Sequence, residues 1–253
     1  MAGAAPAIRP LEGKAVNAAE RLIVALDFPT VEEAKALVKQ LGSQISFYKI
    51  GLHLQLAKGL FGFAERLIRD NKKVFLDFKY IDIEDTIIGA IDGASRMGIN
   101  FVTVYQNSHA IKAALKGRDG RDRPKILTVT LLTDRDQDYI KTEFNSQLSV
   151  EEFVVQRARM VYEVGGDGVI TSPQEVCAIR QAIPDPEFLI VTPGIRPAWS
   201  HASGHKRAGS PAAAIRCGAN YLVVGRPIIQ ADNKAEATAR IIDEMQTAFD
   251  ARV

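Results

Sequence analysis

Asp77 and Lys79 stand two residues apart in the run Val74-Phe-Leu-Asp-Phe-Lys-Tyr-Ile-Asp82. Side chains alternate across an extended strand, so these two charges share one face, while Leu76 and Phe78 share the other. Taking two opposite charges out of water costs several kcal/mol per ion unless partners hold them. A chain that keeps such a pair at a strand end is using it, either as a structural ion pair or as reactive machinery. Two further charges close the preceding apolar runs, Asp27 after the first and Lys49 within the second.

A second group lies late in the chain. Thr192-Pro-Gly-Ile-Arg196 and Val224-Gly-Arg-Pro227 each combine a glycine, which exposes backbone N–H groups, with an arginine that can hold an anion through two hydrogen bonds. At successive strand ends they predict a site for a phosphorylated small molecule. No metal is expected. The histidines are His53, His109, His201 and His205, and neither an HExxH motif nor a Cys/His pairing occurs. No G-x-S-x-G elbow signals a serine nucleophile.

These residues need elements to hold them. Eight short apolar runs recur, at Leu22–Leu26, Ile45–Ile50, Val74–Phe78, Phe101–Tyr105, Ile126–Leu131, Gly168–Ile170, Leu189–Thr192 and Tyr221–Val224. Continuous apolar runs, as opposed to alternating ones, predict parallel strands covered on both faces. Between them, Thr30-Val-Glu-Glu33, Ser149-Val-Glu-Glu152 and Ser172-Pro-Gln-Glu175 read as helix starts in which a hydroxyl cap is answered three residues later by Glu. The third predicts Pro173 at the first helical position. Met97-Gly-Ile-Asn100, Val164-Gly-Gly-Asp167 and Cys217-Gly-Ala-Asn220 read as helix ends. Eight strand–helix units predict an α/β fold, a (β/α)8 TIM barrel of a single domain over residues 21–253. The first strand runs into Ala25-Leu-Asp-Phe-Pro-Thr30 in place of a G-x-G-x-x-G turn, which argues against a doubly wound sheet.

The 253 residues are 47% hydrophobic and 25% charged, as in a globular chain with a large core, and exclude disorder, collagen and coiled coil. A formal charge of +2 gives no nucleic-acid footprint. No apolar run approaches a membrane span. Cys177 and Cys217 show no CxxC or framework spacing and read as two separate small hydrophobes in a reducing, cytoplasmic setting. Residues 1–20, rich in Ala and broken by Pro6 and Pro10, are expected to form a flexible tail without the apolar core of a signal peptide.

Lys49-Ile-Gly51, Asp77-Phe-Lys-Tyr-Ile-Asp82 with Thr86 downstream, Thr192-Pro-Gly-Ile-Arg-Pro197 and Gly225-Arg-Pro227 resemble the orotidine 5'-phosphate decarboxylase family over nearly the whole chain after residue 20. The D-x-K-x-x-D run is shared with sibling sugar-phosphate enzymes; the T-P-G-I-R-P segment and the stretch to Gly209 favour the orotidine enzyme. The resemblance implies conversion of orotidine 5'-monophosphate to UMP and carbon dioxide without a cofactor, in a homodimer with its sites at the interface. Lys79 would protonate the pyrimidine carbanion. Asp77 would face the departing carboxylate, and Asp82 of the partner subunit would complete an array of Lys49, Asp77, Lys79 and Asp82. Asp27 and Lys49 would hold the ribose hydroxyls. Thr86 reads as either a helix cap or a substrate contact made across the interface. Pro193, Arg196, Gly225 and Arg226 would take the phosphate, and Pro197–Gly209 would close over it.

The chain departs from the pattern in three places. Glu84-Asp85 replaces Pro-Asn, Asp134 follows Thr133 where a serine often reads the pyrimidine amide edge, and His205 replaces a lid glutamine that reaches the phosphate. A carboxylate at 134 can accept a ring N–H but repels the neighbouring carbonyl. Two other readings follow from these changes: a sibling enzyme acting on another phosphorylated acid or sugar, and a non-catalytic nucleotide-binding barrel.

Overall fold

In a computed structural model, which describes residues 16–200 and 207–251, the sheet is a closed barrel of eight parallel strands in sequence order, β1 pairing with both β2 and β8. The strands are β1 Leu22–Ala25, β2 Phe47–Ile50, β3 Lys73–Tyr80, β4 Phe101–Val104, β5 Lys125–Val129, β6 Gly168–Ile170, β7 Leu189–Thr192 and β8 Tyr221–Val224. Around them lie α1 Val31–Leu41, α2 Leu60–Arg69, α3 Glu84–Met97, α4 Ser108–Arg118, α5 Gln137–Phe144, α6 Val150–Glu163, α7 Val176–Ala182, α8 Pro211–Cys217, α9 Arg226–Ile229 and α10 Lys234–Asp250.

Alternation along each strand divides the apolar residues between two cores. Ile23, Phe47, Phe75, Phe101, Leu127, Val191 and Val223 fill the barrel lumen, with Phe47 and Phe101 edge to face at 4.9 Å. Their neighbours Leu22, Val24, Tyr48, Val74, Leu76 and Val102 pack outward against the helices. Every strand is therefore buried on both faces, which is why its sequence reads as a continuous apolar run.

Helix punctuation follows the sequence closely, with one exception. Thr30 caps α1 through Glu33 N–H, and Ser149 with Glu152 forms a reciprocal capping box on α6. Gly98 and Gly218 end α3 and α8 with φ of 86° and 111°, a region that disfavours side chains. The residue that closes each punctuation mark then reaches sideways to the preceding strand. Asn100 accepts from Val74 N–H, Asp167 from Ile126 N–H and Asn220 from Ile190 N–H, at 2.8–2.9 Å. The exception is Ser172–Glu175. There α7 begins at Val176, not Pro173, because Glu175 is buried in an ion pair with Arg207 at 2.7 Å and cannot turn back to cap Ser172.

Two more expectations are corrected. Cys177 on α7 and Cys217 on α8 are not separate thiols but a disulfide, their Cα atoms 4.5 Å apart. The cysteine argument for a reducing compartment falls with that pairing. The boundary of the tail also moves. Asn17 caps a short 3-10 helix at Ala18–Glu20, Ala18 is fully buried, and Gln246 of α10 clasps Ala18 N–H and the Val16 carbonyl at 3.0 Å each. Residues 16–20 thus pack against α10.

Candidate active site

The inward alternation that places Phe47 and Phe75 in the lumen places Lys49 and Asp77 one step higher, at its mouth. Lys49 Nζ lies 3.1 Å from Asp27 Oδ1 and 3.6 Å from Asp77 Oδ2, and Lys79 Nζ lies 2.8 Å from Asp77 Oδ1. The result is a continuous chain of alternating charge, Asp27–Lys49–Asp77–Lys79, drawn from three neighbouring strands. Its centre is drier than its ends: the Asp77 and Lys49 side chains are 15% and 12% exposed, Lys79 and Asp27 34% and 41%. Burial alone would push the Asp77 carboxyl up. The Lys49 and Lys79 ammoniums, with hydrogen bonds from Lys79 and Thr103, outweigh it and hold Asp77 below the usual carboxylate range.

Local backbone makes room for this chain. A Cβ on Gly51 would come within 2.7 Å of Lys49 Nζ, so this glycine lets the backbone approach the ion pair. Lys79 has φ of 55°, a left-handed conformation unusual for lysine that costs on the order of 1–3 kcal/mol and persists only where surroundings enforce it.

Across the mouth, Arg196 follows β7 and Arg226 opens α9 after β8. Burial, and then the nearby Arg226 guanidinium, lower the Arg196 guanidinium from its ordinary value. Two guanidiniums held this near each other favour an anion between them. Arg196 N–H donates to the Gly209 carbonyl at 2.8 Å and Ile195 bridges to Gly209, so the segment that leaves β7 is closed at its neck. A family model for "Orotidine 5'-phosphate decarboxylase / HUMPS family" matches residues 20–241.

The chain belongs to the orotidine 5'-phosphate decarboxylase / HUMPS family.

Relatives within the family cover the chain nearly end to end. The orotidine 5'-phosphate decarboxylase of Nitrobacter winogradskyi is 47% identical over 232 residues, 92% of this chain and 95% of the relative. That of Ruegeria pomeroyi is 42% identical over 227 residues, 89% of this chain and 94% of its own. Among solved structures, the crystal structure of orotidine 5'-phosphate decarboxylase from Lactobacillus acidophilus superposes with a TM-score of 0.77 at 34% identity, over 89% of this chain and 99% of that one.

Not every residue expected from the family pattern joins the array. Asp82 is exposed, its carboxylate accepting the Ile83 N–H at 2.7 Å. Thr86 is exposed in the first turn of α3 and does not cap it, since the cap position belongs to Ile83. Thr133 joins the two loops of the site: its carbonyl accepts from Arg207 N–H at 3.4 Å, and its methyl lies 3.6 Å from where a Gly194 Cβ would stand. Asp134 is exposed, 3.7 Å from Arg135 Nε. Pro193 is half-buried beside Gly194. His201 and His205 lie outside the described residues.

Several site residues carry no sequence signal. Thr103 of β4 is fully buried and donates to Asp77 Oδ1 at 2.7 Å. In the sequence it reads as one more β-branched strand residue. A cavity between the ends of β4 and β5 borders Lys79, with Val104, Val129 and Leu131 in its wall. There Gln106 Oε1 accepts from Arg157 Nε at 2.6 Å, and the Arg157 guanidinium, lowered from its ordinary value by burial, stacks over Phe144 and Phe153. Arg207 donates to the Leu131, Leu132 and Arg135 carbonyls at 2.9–3.2 Å and pairs with Glu175, tying the segment after β7 to the one after β5.

Proposed function

We propose that this chain decarboxylates orotidine 5'-monophosphate to UMP and carbon dioxide, the last step of de novo UMP synthesis, with Lys79 as the proton donor. The observation that carries this reading is the continuous Asp27–Lys49–Asp77–Lys79 array, largely buried at its Lys49–Asp77 centre, facing two arginines across one barrel mouth. Full-length relatives named as decarboxylases favour it over a sibling activity.

The phosphate binds at the ends of β7 and β8, through Arg196, Arg226 and the Gly225 backbone, with Pro193 as a wall. Asp27 and Lys49 hold the ribose hydroxyls, and the Thr133–Asp134 turn meets the base. Phosphate binding energy offsets the crowding of the substrate carboxylate against the Asp77 carboxylate, a repulsion relieved as carbon dioxide leaves. The carbon–carboxyl bond breaks, its electron pair stays on the ring carbon, and Lys79 Nζ delivers a proton there. A fixed ammonium in a water-poor site stabilises that charge as it develops and spends nothing on reorientation. Pro197–Gly209, with His205 in it, closes over the phosphate.

The active unit is a homodimer. Asp82 is supplied to the neighbouring site, and Thr86 contacts substrate from the same side. Exposed apolar side chains follow the two strands that carry Lys49 and Lys79: Leu52 and Leu56 after β2, Ile81 and Ile83 after β3, at 56–96% exposure. Such residues beside Asp82 suit burial against a second copy. The reaction belongs to the cytoplasm, where nucleotide biosynthesis draws on its intermediates; no helix among the described residues is long and apolar enough to cross a membrane.

Purified protein mixed with orotidine 5'-monophosphate should deplete the substrate's ultraviolet absorbance, and no turnover at high protein concentration overturns the reading. Lys79→Ala should remove activity with folding intact. Mixed Lys79→Ala and Asp82→Ala subunits should regain part of it; no recovery after confirmed exchange overturns the shared site.

A further inference from the structure

Strand β3 carries two more residues than β4 can match. Leu76 pairs with Val102 and Tyr80 with Val104, so Asp77, Phe78 and Lys79 together face the single residue Thr103. An excess of this kind leaves local backbone groups without their ladder partners and re-aims the side chains it carries. Here it aims Asp77 and Lys79 into the mouth, at the cost of the left-handed backbone at Lys79.

One atom holds that arrangement. Thr103 Oγ1 donates to Asp77 Oδ1 at 2.7 Å and accepts from the Lys79 backbone N–H at 3.4 Å, and the Lys79 ammonium donates to the same Asp77 oxygen at 2.8 Å. A closed ring results, running from the Lys79 backbone through Thr103 and Asp77 to the Lys79 ammonium. A hydroxyl is the smallest side-chain group that both donates and accepts, and both capacities are used. Thr103 is fully buried, away from bulk solvent.

We propose that Thr103 is a positioning residue for the decarboxylation: it acts through Asp77 and Lys79, fixing the carboxylate rotamer and the lysine backbone so that repulsion and proton delivery meet at one ring carbon. The groups facing Asp77 are Lys49 from β2, Lys79 from β3 and Thr103 from β4, with Asp27 behind Lys49. Valine keeps the shape of threonine and removes both hydrogen bonds; serine keeps both and removes a methyl.

The inference rests on the decarboxylase reading, so the wild-type protein is assayed first, then Thr103→Val and Thr103→Ser, each for kcat and KM across pH. Misplacement of reacting groups by about 1 Å costs on the order of 10²-fold, so Thr103→Val should lower kcat by that order and leave KM within about threefold. Its acid limb should move to higher pH, because Asp77 loses a donor to its charged form. Thr103→Ser should stay near wild type. A Thr103→Val kcat within about threefold of wild type, a change in KM alone, or equal damage in both variants overturns the proposal. If wild type itself fails to turn over, the functional reading falls, and the positioning is then read from the Asp77 carboxyl carbon by NMR titration. Its midpoint should rise in Thr103→Val; an unchanged midpoint overturns the proposal.

Discussion

Asp77 is where burial and charge compete most directly. Its carboxyl is lowered in the folded chain, against its own desolvation, by Lys49, Lys79 and Thr103. A group that binds its proton less readily when folded stabilises the fold above its unfolded pKa of about 3.9, and loses that contribution as pH falls through the folded value. Asp77→Asn removes the contribution at every pH and leaves two ammoniums without the anion between them. The melting temperature of wild type should therefore exceed that of Asp77→Asn at pH 7, and the gap should narrow on acidification below about pH 4. Melting curves from pH 7 to 3 measure it, and a gap independent of pH would contradict the assignment. The charged half of the site was legible because period-two alternation already brings Asp77 and Lys79 to one face, though the register shift after Leu76 sets their final aim. Thr103 was not, because threonine belongs in strands for its shape alone, and only the register between β3 and β4 reveals its hydroxyl's second use.

At the scale of elements, the barrel repeats one device. A glycine ends a helix, and an Asn or Asp before the next strand secures the strand before it, as in Asn100, Asp167 and Asn220. Asn220 does most, since its Oδ1 accepts from both Ile190 N–H and the buried Arg180 guanidinium, each at 2.8 Å. Asn220→Ala leaves the Ile190 N–H unmet, while Arg180 Nη2 keeps the Phe188 and Gly218 carbonyls, and an unmet buried group costs about 1–3 kcal/mol. The variant should be destabilised by about 1–3 kcal/mol in urea unfolding with its kcat preserved, because Asn220 lies at the foot of β8, away from the mouth. A shift below about 0.5 kcal/mol would show that water or relaxation replaces it. The same glycine-and-Asn pattern made helix ends readable in the sequence. The start of α7 was misread because Ser172-Pro-Gln-Glu175 satisfies every local rule for a capping box, and a distant arginine, Arg207, takes Glu175 away.

For the whole molecule, the eight-strand count was readable because closure buries both faces of every strand. Pairings between distant segments were not. Cys177 and Cys217 stand 40 residues apart, with nothing local to join them, until β7 and its flanking helices bring α7 and α8 side by side. A cross-link over a loop of this length typically adds 2–4 kcal/mol, largely by restricting the unfolded chain. Reduction with dithiothreitol, or Cys177→Ala with Cys217→Ala, should lower the melting temperature by several degrees, on the order of 2–4 °C per kcal/mol for a chain of this size, with turnover unchanged below the transition. Equal melting temperatures in oxidised and reduced protein would refute the contribution.

The neck formed by Ile195 and Gly209 gives the molecule a latitude of a different kind. The two ends of the intervening segment are tied to each other by backbone contacts, so the chain entropy of closing the loop grows slowly with its length, doubling it adding only about 0.6 kcal/mol. Arg207 is the fixed point of that segment, held by Glu175 and the carbonyls after β5, so changes of length are best tolerated on its N-terminal side. Selection, or a protein engineer, can therefore change the length of this connection without moving Lys49, Asp77 and Lys79, which stand on β2 and β3.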